Sequence, residues 1–301
     1  MFKVKKSDAD SAYRDGNPIM SDAEYDKVFG LDASDIDTEV VSTLSKAKHN
    51  VFMHSLSKLD VTNGFENIRK WCGNSTLIVS WKYDGLAVEL IYKYGKFQKA
   101  ITRGDGSVGE VISDAVMKMK NFHKNLDVDF TGSLKAEIIM KKSDYATYLQ
   151  HTLDKNPYSN TRNGASGAAR STNTRNAKYC SLMYYGVQED NPYDTDYNQF
   201  VSLKCWVDDV VFNTASRNTI EDVYRQMSEQ REELDFDVDG IVVAKNSSDV
   251  KEVLGFDSRN RPRFKIAVKF PYYEKETILR NIIWRNAKSG PVPPVAEFDT
   301  I

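Results

Sequence analysis

The stretch TLIVSWKYDGLAVELIYKYGKFQKAITRGDG, residues 76–106, decides the fold class. Its apolar residues recur with a period of two, and the pattern is punctuated at Asp84-Gly85 and Tyr94-Gly95. That predicts strand, tight turn, strand, hairpin, strand, followed by a loop at Gly104-Asp105-Gly106. Working outward, further strands are expected at SLKAEIIMKK (133–142), LMYYGVQ (182–188), DGIVVAKN (239–246) and RFKIAVKFP (263–271). Helical spacing of Phe65, Ile68 and Trp71 predicts a helix over 63–71, with others over 143–152 and 219–232 and a short one over 108–120. NPYSNTRNGASGAARS (156–171) reads as a polar, small-residue loop entering a helix. Many antiparallel-looking strands with interspersed helices make an α+β domain. Upstream, SDAEYDKVF (21–29) opens on a capping box of Ser21 and Glu24 and places Tyr25 and Phe29 on one helix face. The expected organisation is a helical segment over 1–70, an α+β domain over 71–275, and a tail over 276–301 that begins a strand pair without a core of its own. On that reading the chain is truncated or completed by a partner.

Composition narrows the function classes. The 301 residues carry 41 Lys+Arg against 43 Asp+Glu, a net charge of −2. A chain that grips nucleic acid unaided is usually basic, so any such contact must be local or shared. Hydrophobic residues at 41% and charged residues at 28% exclude a mostly disordered chain. Cys72, Cys180 and Cys205 are widely separated, match no zinc spacing and suggest a reducing compartment. MFKVKKSD has no apolar segment of the secretory kind, and no apolar run reaches a membrane span. A cytoplasmic protein with no membrane partner is expected.

Four local patterns can carry chemistry. In Lys82-Tyr83-Asp84-Gly85 a strand would put Lys82 and Asp84 on one face, with Trp81 and Tyr83 on the other. Such a lysine is either half of a surface ion pair or a nucleophile once its amine is neutral. Arg103 beside Gly104-Asp105-Gly106 fits a phosphate or carboxylate, or an ordinary hairpin turn. Arg162 and Arg170 among Gly164, Ser166, Gly167, Ala168 and Ala169 either flank a phosphate or belong to a flexible linker. In the last strand Arg263, Lys265 and Lys269 share one parity, and Phe264, Ile266, Val268 and Phe270 the other. The basic face is a solvated surface or a polyphosphate or nucleic-acid contact. Asp239, heading its own strand, could stand beside the same site. His49, His54, His123 and His151 form no metal spacing, so any metal would be a hard cation held by carboxylate, water and phosphate, as Mg²⁺ prefers.

In order along the chain, SDAEYD (21–26), MHSLSKLD (53–60), KYDGLAV (82–88), TRGDGSVGE (102–110), KAEI (135–138), NTRNGASGAAR (160–170), DGIVV (239–243), LGF (254–256) and PRFKIAVKFP (262–271) resemble the NAD+-dependent DNA ligases. The resemblance implies a first domain that recognises the nicotinamide mononucleotide half of NAD+ through Tyr13, Asp22, Tyr25 and Asp26. It implies a covalent nucleotidyltransferase domain like those of capping enzymes and unrelated to ATP-grasp enzymes, and then the start of an OB-type barrel. Lys82 matches the nucleophile that takes AMP, and Asp84 would orient it. Arg103, Glu137, Arg162 and Arg170 match residues around ribose and phosphate, and Lys269 a lysine at the α-phosphate. Ser55, Leu56, Ser80, Trp81, Asp239 and Lys245 complete the implied cofactor contacts, and Glu137 and Asp239 the Mg²⁺ contacts.

The chain departs from the family at four points, the first being Ala12, where the family often has an aromatic residue just before Tyr13. Ser80 replaces a glutamate expected to read the adenine amino group, and Lys135 replaces an arginine. The lysine expected five residues after Asp239 is Ala244, with Lys245 one residue late. The resemblance further implies nicked duplex DNA as partner. A second polypeptide or further chain would supply the OB, zinc and helix-hairpin-helix modules, as in an engineered fragment or one half of a divided viral or phage ligase, then in the host cytoplasm. The rival expectations are an ATP- or GTP-using RNA ligase or capping-type enzyme, and a non-catalytic DNA clamp or scaffold.

Overall fold

The computed structural model describes residues 44–59, 61, 64–154, 157–188, 195–271, 276–284 and 294–299. The expected helix at 21–29 and the residues Tyr13, Asp22, Tyr25 and Asp26 lie outside them. The body is built on two sheets. One has five strands in the order β2 (Ser57–Leu59), β11 (Lys265–Lys269), β10 (Val238–Lys245), β3 (Leu77–Tyr83), β9 (Phe212–Ala215). Its neighbours run antiparallel except β2 with β11, which is parallel. The other sheet has four antiparallel strands in the order β5 (Lys96–Thr102), β4 (Leu86–Lys93), β7 (Gly132–Met140), β8 (Cys180–Gln188). A short ribbon joins β1 (Lys46–Lys48) to β6 (Val108–Glu110). Strands β1 and β2 therefore pair with strands from beyond residue 71, and the described part of the 44–70 stretch is built into the same body as those strands.

Each sheet turns one face to its own core. Leu77, Val79, Trp81, Tyr83, Ile241, Val243, Ile266 and Val268 pack with Ile68 of α1 (Glu66–Cys72). Ile220, Tyr224 and Met227 join them from the helix Ile220–Gln230. Val88, Leu90, Leu134, Ala136, Ile138, Leu182 and Tyr184 pack with Ala115 and Val116 of α2 (Ser113–Val116). Two more helices close this second core, through Ala165, Ala168 and Ala169 of Thr161–Arg170 and through Phe200 and Leu203 of Asp196–Trp206. In chain order the remaining helices are α3 (Lys142–His151), α4 (Thr161–Arg170), α5 (Asp196–Trp206), α6 (Ile220–Gln230) and α7 (Ser248–Leu254). The other faces of the two sheets meet in part, with Ile139 and Met183 joining the first core, and leave a cleft where Lys82 faces Glu137 and Lys265 faces Lys135.

Three expectations are revised, the first being the helix over 108–120: Val108–Glu110 is strand β6 and helix α2 covers only Ser113–Val116. Asp84-Gly85 is not a tight turn between neighbouring strands: β3 and β4 belong to different sheets, so this dipeptide carries the chain from one sheet to the other. Tyr94-Gly95 is a true hairpin turn, with φ of 50° and 69° at its two central residues, the left-handed pair a two-residue connection needs. The stretch read as a loop entering a helix does enter one, but the small residues 161–170 are already helix α4 and not a flexible linker; the helix is N-capped by Asn160, whose side chain accepts from the Asn163 amide at 2.8 Å. Its glycines allow close packing: a Cβ on Gly164 would lie 2.7 Å from Met140 Sδ, and one on Gly167 2.4 Å from Tyr158 Cε1. Beyond the body, β12 (Leu279–Trp284) and β13 (Pro294–Phe298) form an antiparallel pair, and no closed barrel exists among the described residues.

Candidate active site

Lys82 stands at the end of β3, on the face opposite Trp81 and Tyr83, which are core residues. Its ammonium lies 2.7 Å from Asp239 Oδ1, and Lys269 Nζ approaches Asp239 Oδ2 at 3.3 Å. A bulge produces this geometry. Val238 pairs with Tyr83 and Gly240 with Lys82, so Asp239 is the extra residue between them. Simple alternation would turn Asp239 away from Lys82, whereas the bulge re-aims its carboxylate. Asp84 comes immediately after β3 and pairs with Arg162 Nη1 at 2.9 Å, from the first turn of α4. Burial pushes the Asp84 carboxyl up, and Arg162 pulls it back down.

Glu137 reaches into the cleft from β7, opposite Ala87 of β4. Burial raises its carboxyl to about 8 against the pull of Lys82, Arg103 and Arg162. Arg103 comes directly after β5, its amide bound to the Ala87 carbonyl at 2.9 Å, which places it beside the same strand pair. The structure thus gathers Lys82, Asp84, Arg103, Glu137, Arg162, Asp239 and Lys269 at one end of the cleft. Ser80 is buried on the same strand face as Lys82, further into it.

Other expected residues stand elsewhere. Trp81 packs edge-on to Phe270 inside the core, on the far side of β3 from Lys82. Arg170, at the last turn of α4, is held by both oxygens of Glu110, at 2.5 and 2.8 Å. Lys245 points away from the cleft: its ammonium caps α1 by donating to the carbonyls of Trp71 at 2.6 Å and Cys72 at 2.8 Å. The one-residue offset has the consequence that a period of two dictates. Directly opposite Ala244 on the neighbouring strand is Lys265, on the cleft face with Ala267 and Lys269. Ser55 is exposed and Leu56 half-buried where the chain enters β2.

Three cleft residues were missed as site candidates from sequence. Lys135 on β7 is brought down to about 8, first by burial and then by Lys265 across the cleft. Tyr185 is the extra residue of a second bulge, between Ala136↔Tyr184 and Lys135↔Gly186; burial raises its phenol, and the Glu137 charge adds to that. Glu89 lies opposite Lys135 on β4. The second bulge breaks the alternation on which a sequence reading of Tyr185 would rest. Among the described residues no three carboxylate, His or Cys side chains come together as a metal cradle. Asp239 is occupied by two lysines and the Glu137 environment favours a proton, so these two do not form a ready cation site.

A strand-end lysine held by a bulged aspartate thus stands between two mainly antiparallel sheets lined with cations, an arrangement consistent with a nucleotidyltransferase-like α+β domain. The sequence model of the NAD-dependent DNA ligase adenylation domain matches residues 41–273, and the chain belongs to that family. It is 32% identical to a DNA ligase of Brachyspira hyodysenteriae over 96% of its own length and 48% of that protein. It is 31% identical to one of Ruminiclostridium cellulolyticum over 97% and 47%. The chain thus spans about half the length of these curated relatives. A solved structure named Pmar-Lig_PreS3 superposes with a TM-score of 0.44 at 10% identity, over 79% of this chain and 51% of that one. No helix among the described residues is long and apolar enough to cross a membrane.

Proposed function

We propose that the chain is the adenylylation module of an NAD+-dependent DNA ligase. Neutral Lys82 attacks the α-phosphorus of NAD+. The N–P bond forms, the bond to the nicotinamide mononucleotide phosphate breaks, and the amine proton leaves, giving Lys82–AMP. The carrying observation is the convergence of Lys82, Asp239 and Lys269, within 2.7 and 3.3 Å, at the mouth of a cleft that also holds Arg103, Arg162 and Glu137. Asp239 orients the amine, and the cationic side chains stabilise charge on the transferring phosphoryl group. Glu137, carrying its proton, suits a hydrogen bond to a ribose hydroxyl. Mg²⁺ belongs to this proposal only as an ion arriving on the dinucleotide phosphates, and no step is routed through it.

The segment SDAEYD, with Tyr13, is proposed to hold the mononucleotide leaving group. The pair β12–β13 is proposed as the beginning of an OB-type module. AMP transfer to the 5′-phosphate of nicked DNA is proposed to need modules from further chain or a second polypeptide. The test is incubation with NAD+ or ATP, followed by intact mass and peptide mapping. AMP on Lys82 from NAD+ alone supports the proposal. Equal labelling from ATP refutes the cofactor, and a label surviving Lys82→Ala refutes the nucleophile. Adding nicotinamide mononucleotide to the AMP-bearing chain should strip the label, and a Tyr25→Ala/Asp26→Ala variant should resist stripping.

A further inference from the structure

Behind Arg103 lies a buried polar chain that the proposed chemistry does not use. After β1 the backbone stays attached to the Arg103 loop: the His49 amide donates to the Ser107 carbonyl at 3.0 Å, and the Met53 amide to that of Gly106 at 2.9 Å. Between these anchors the His49 ring turns inward, with only 1% of its side chain exposed. Its Nδ1 lies 2.6 Å from Glu89 Oε2 and its Nε2 3.1 Å from the Arg103 carbonyl oxygen. Ser133 Oγ donates to the other Glu89 oxygen at 2.5 Å, and Glu89 is itself only 1% exposed. One imidazole thus links strands β4 and β7 to the main chain of a cleft arginine.

The loop it grips also bonds to itself. Asp105 Oδ1 accepts from the amides of Ser107 and Val108 at 2.7 and 2.8 Å, and the Gly106 amide donates to the Arg103 carbonyl at 2.9 Å. These contacts set the loop's shape, and the His49 and Met53 amides hold its far side. At Arg103 itself the peptide is held by its amide on the Ala87 carbonyl and by the His49 ring on its carbonyl. Both ring nitrogens face oxygen atoms, one of a carboxylate and one of a carbonyl, so the ring is held at two points at once. The cost of burying Glu89 is offset only while both its oxygens are bonded.

We propose that His49 is a positioning residue for Arg103, locked by Glu89 and Ser133, and that it sets the rate of AMP transfer. The inference rests on the adenylylation reading above. The relay acts through the peptide plane from which the Arg103 side chain departs, since His49 bonds the Arg103 carbonyl and not its guanidinium. Neither Asn nor Gln reaches both acceptors at once, so the relay needs an imidazole.

The test measures single-turnover AMP transfer from NAD+ by intact mass, on the whole chain. His49→Gln should lower the saturating rate about tenfold, a fraction of what a 1 Å misplacement costs, with little change in the NAD+ concentration giving half the rate. Ser133→Ala, which leaves His49 in place and is the milder change if His49→Gln folds poorly, should lower the rate by a smaller factor. In an Arg103→Ala background neither substitution should have a further effect. If that residual rate is too slow to read, the same comparison is made on NAD+ affinity by calorimetry. A full rate in both single variants, or losses that multiply undiminished in the Arg103→Ala background, overturns the positioning role. No AMP on the unsubstituted chain refutes the adenylylation reading itself, and the positioning role with it.

Discussion

Gly85 is where the crossing between the two sheets can be broken with one methyl group. A Cβ there would lie 2.0 Å from the Ile138 carbonyl oxygen, 3.0 Å from its carbon and 3.1 Å from Glu137 Cγ. A carbon–oxygen contact relaxes to about 3.3 Å, so Gly85→Ala needs a movement of about 1.3 Å. The obstructing atoms are backbone of β7, paired on both sides by β4 and β8, so no side chain can swing aside. Overpacking of this kind costs about 3 kcal/mol, the upper part of the usual range. In a body of this size each kcal/mol lowers Tm by about 2–4 °C, so a drop of about 6–12 °C is expected. The movement separates Glu137 from the strand end carrying Lys82, and a displacement near 1 Å costs about 100-fold in rate. Calorimetric melting and AMP transfer from NAD+ read the two effects. Unchanged melting and an unchanged rate would refute the claim that this close approach sets the cleft.

Glu137→Gln tests the pH linkage. A carboxyl raised from 4.5 to about 8 binds its proton more tightly when folded. The unsubstituted chain therefore loses stability as pH rises from 4.5 to 8 and levels above it. The variant should lack that slope in chelator-containing buffer, and parallel denaturation curves across this range would contradict it. Asp239→Asn removes the carboxylate shared by Lys82 and Lys269. Because a quarter of each side chain stays in water, it should cost only about 1–2 kcal/mol while cutting AMP transfer sharply; a normal transfer rate would remove Asp239 from the mechanism. Lys245→Met strips the cap from two α1 carbonyls and should cost about 1–3 kcal/mol with labelling unchanged. Lost labelling in a variant that melts normally would return Lys245 to the site.

The legible share of the fold reflects the range of the forces involved. Period-two runs and turn dipeptides are local, so strands β3, β4, β5, β7, β8, β10 and β11 could be read from residues 76–271 alone. The short strands β1, β2 and β9 carry too few residues for a pattern and exist because a neighbour offers a ladder. The helices Asp196–Trp206 and Ser248–Leu254 also escaped the reading. The first has apolar residues all round rather than on one stripe, and the second buries none. The small residues of α4 look like a linker until Met140 and Tyr158 are packed against them.

By itself the sequence determined the α+β class, the strand that carries Lys82, the face Lys82 shares, and the ordered motifs that mark the family. Each depends on side-chain alternation or on residue identity at fixed spacing. Only the tertiary structure decided that Asp84-Gly85 crosses between sheets, that a bulge turns Asp239 onto Lys82, and that Lys245 leaves the cleft while Lys265 lines it. The reason is physical. Alternation says which residues share a face but not which sheet a strand joins, and one inserted residue reverses that face without altering the hydrophobic pattern around it.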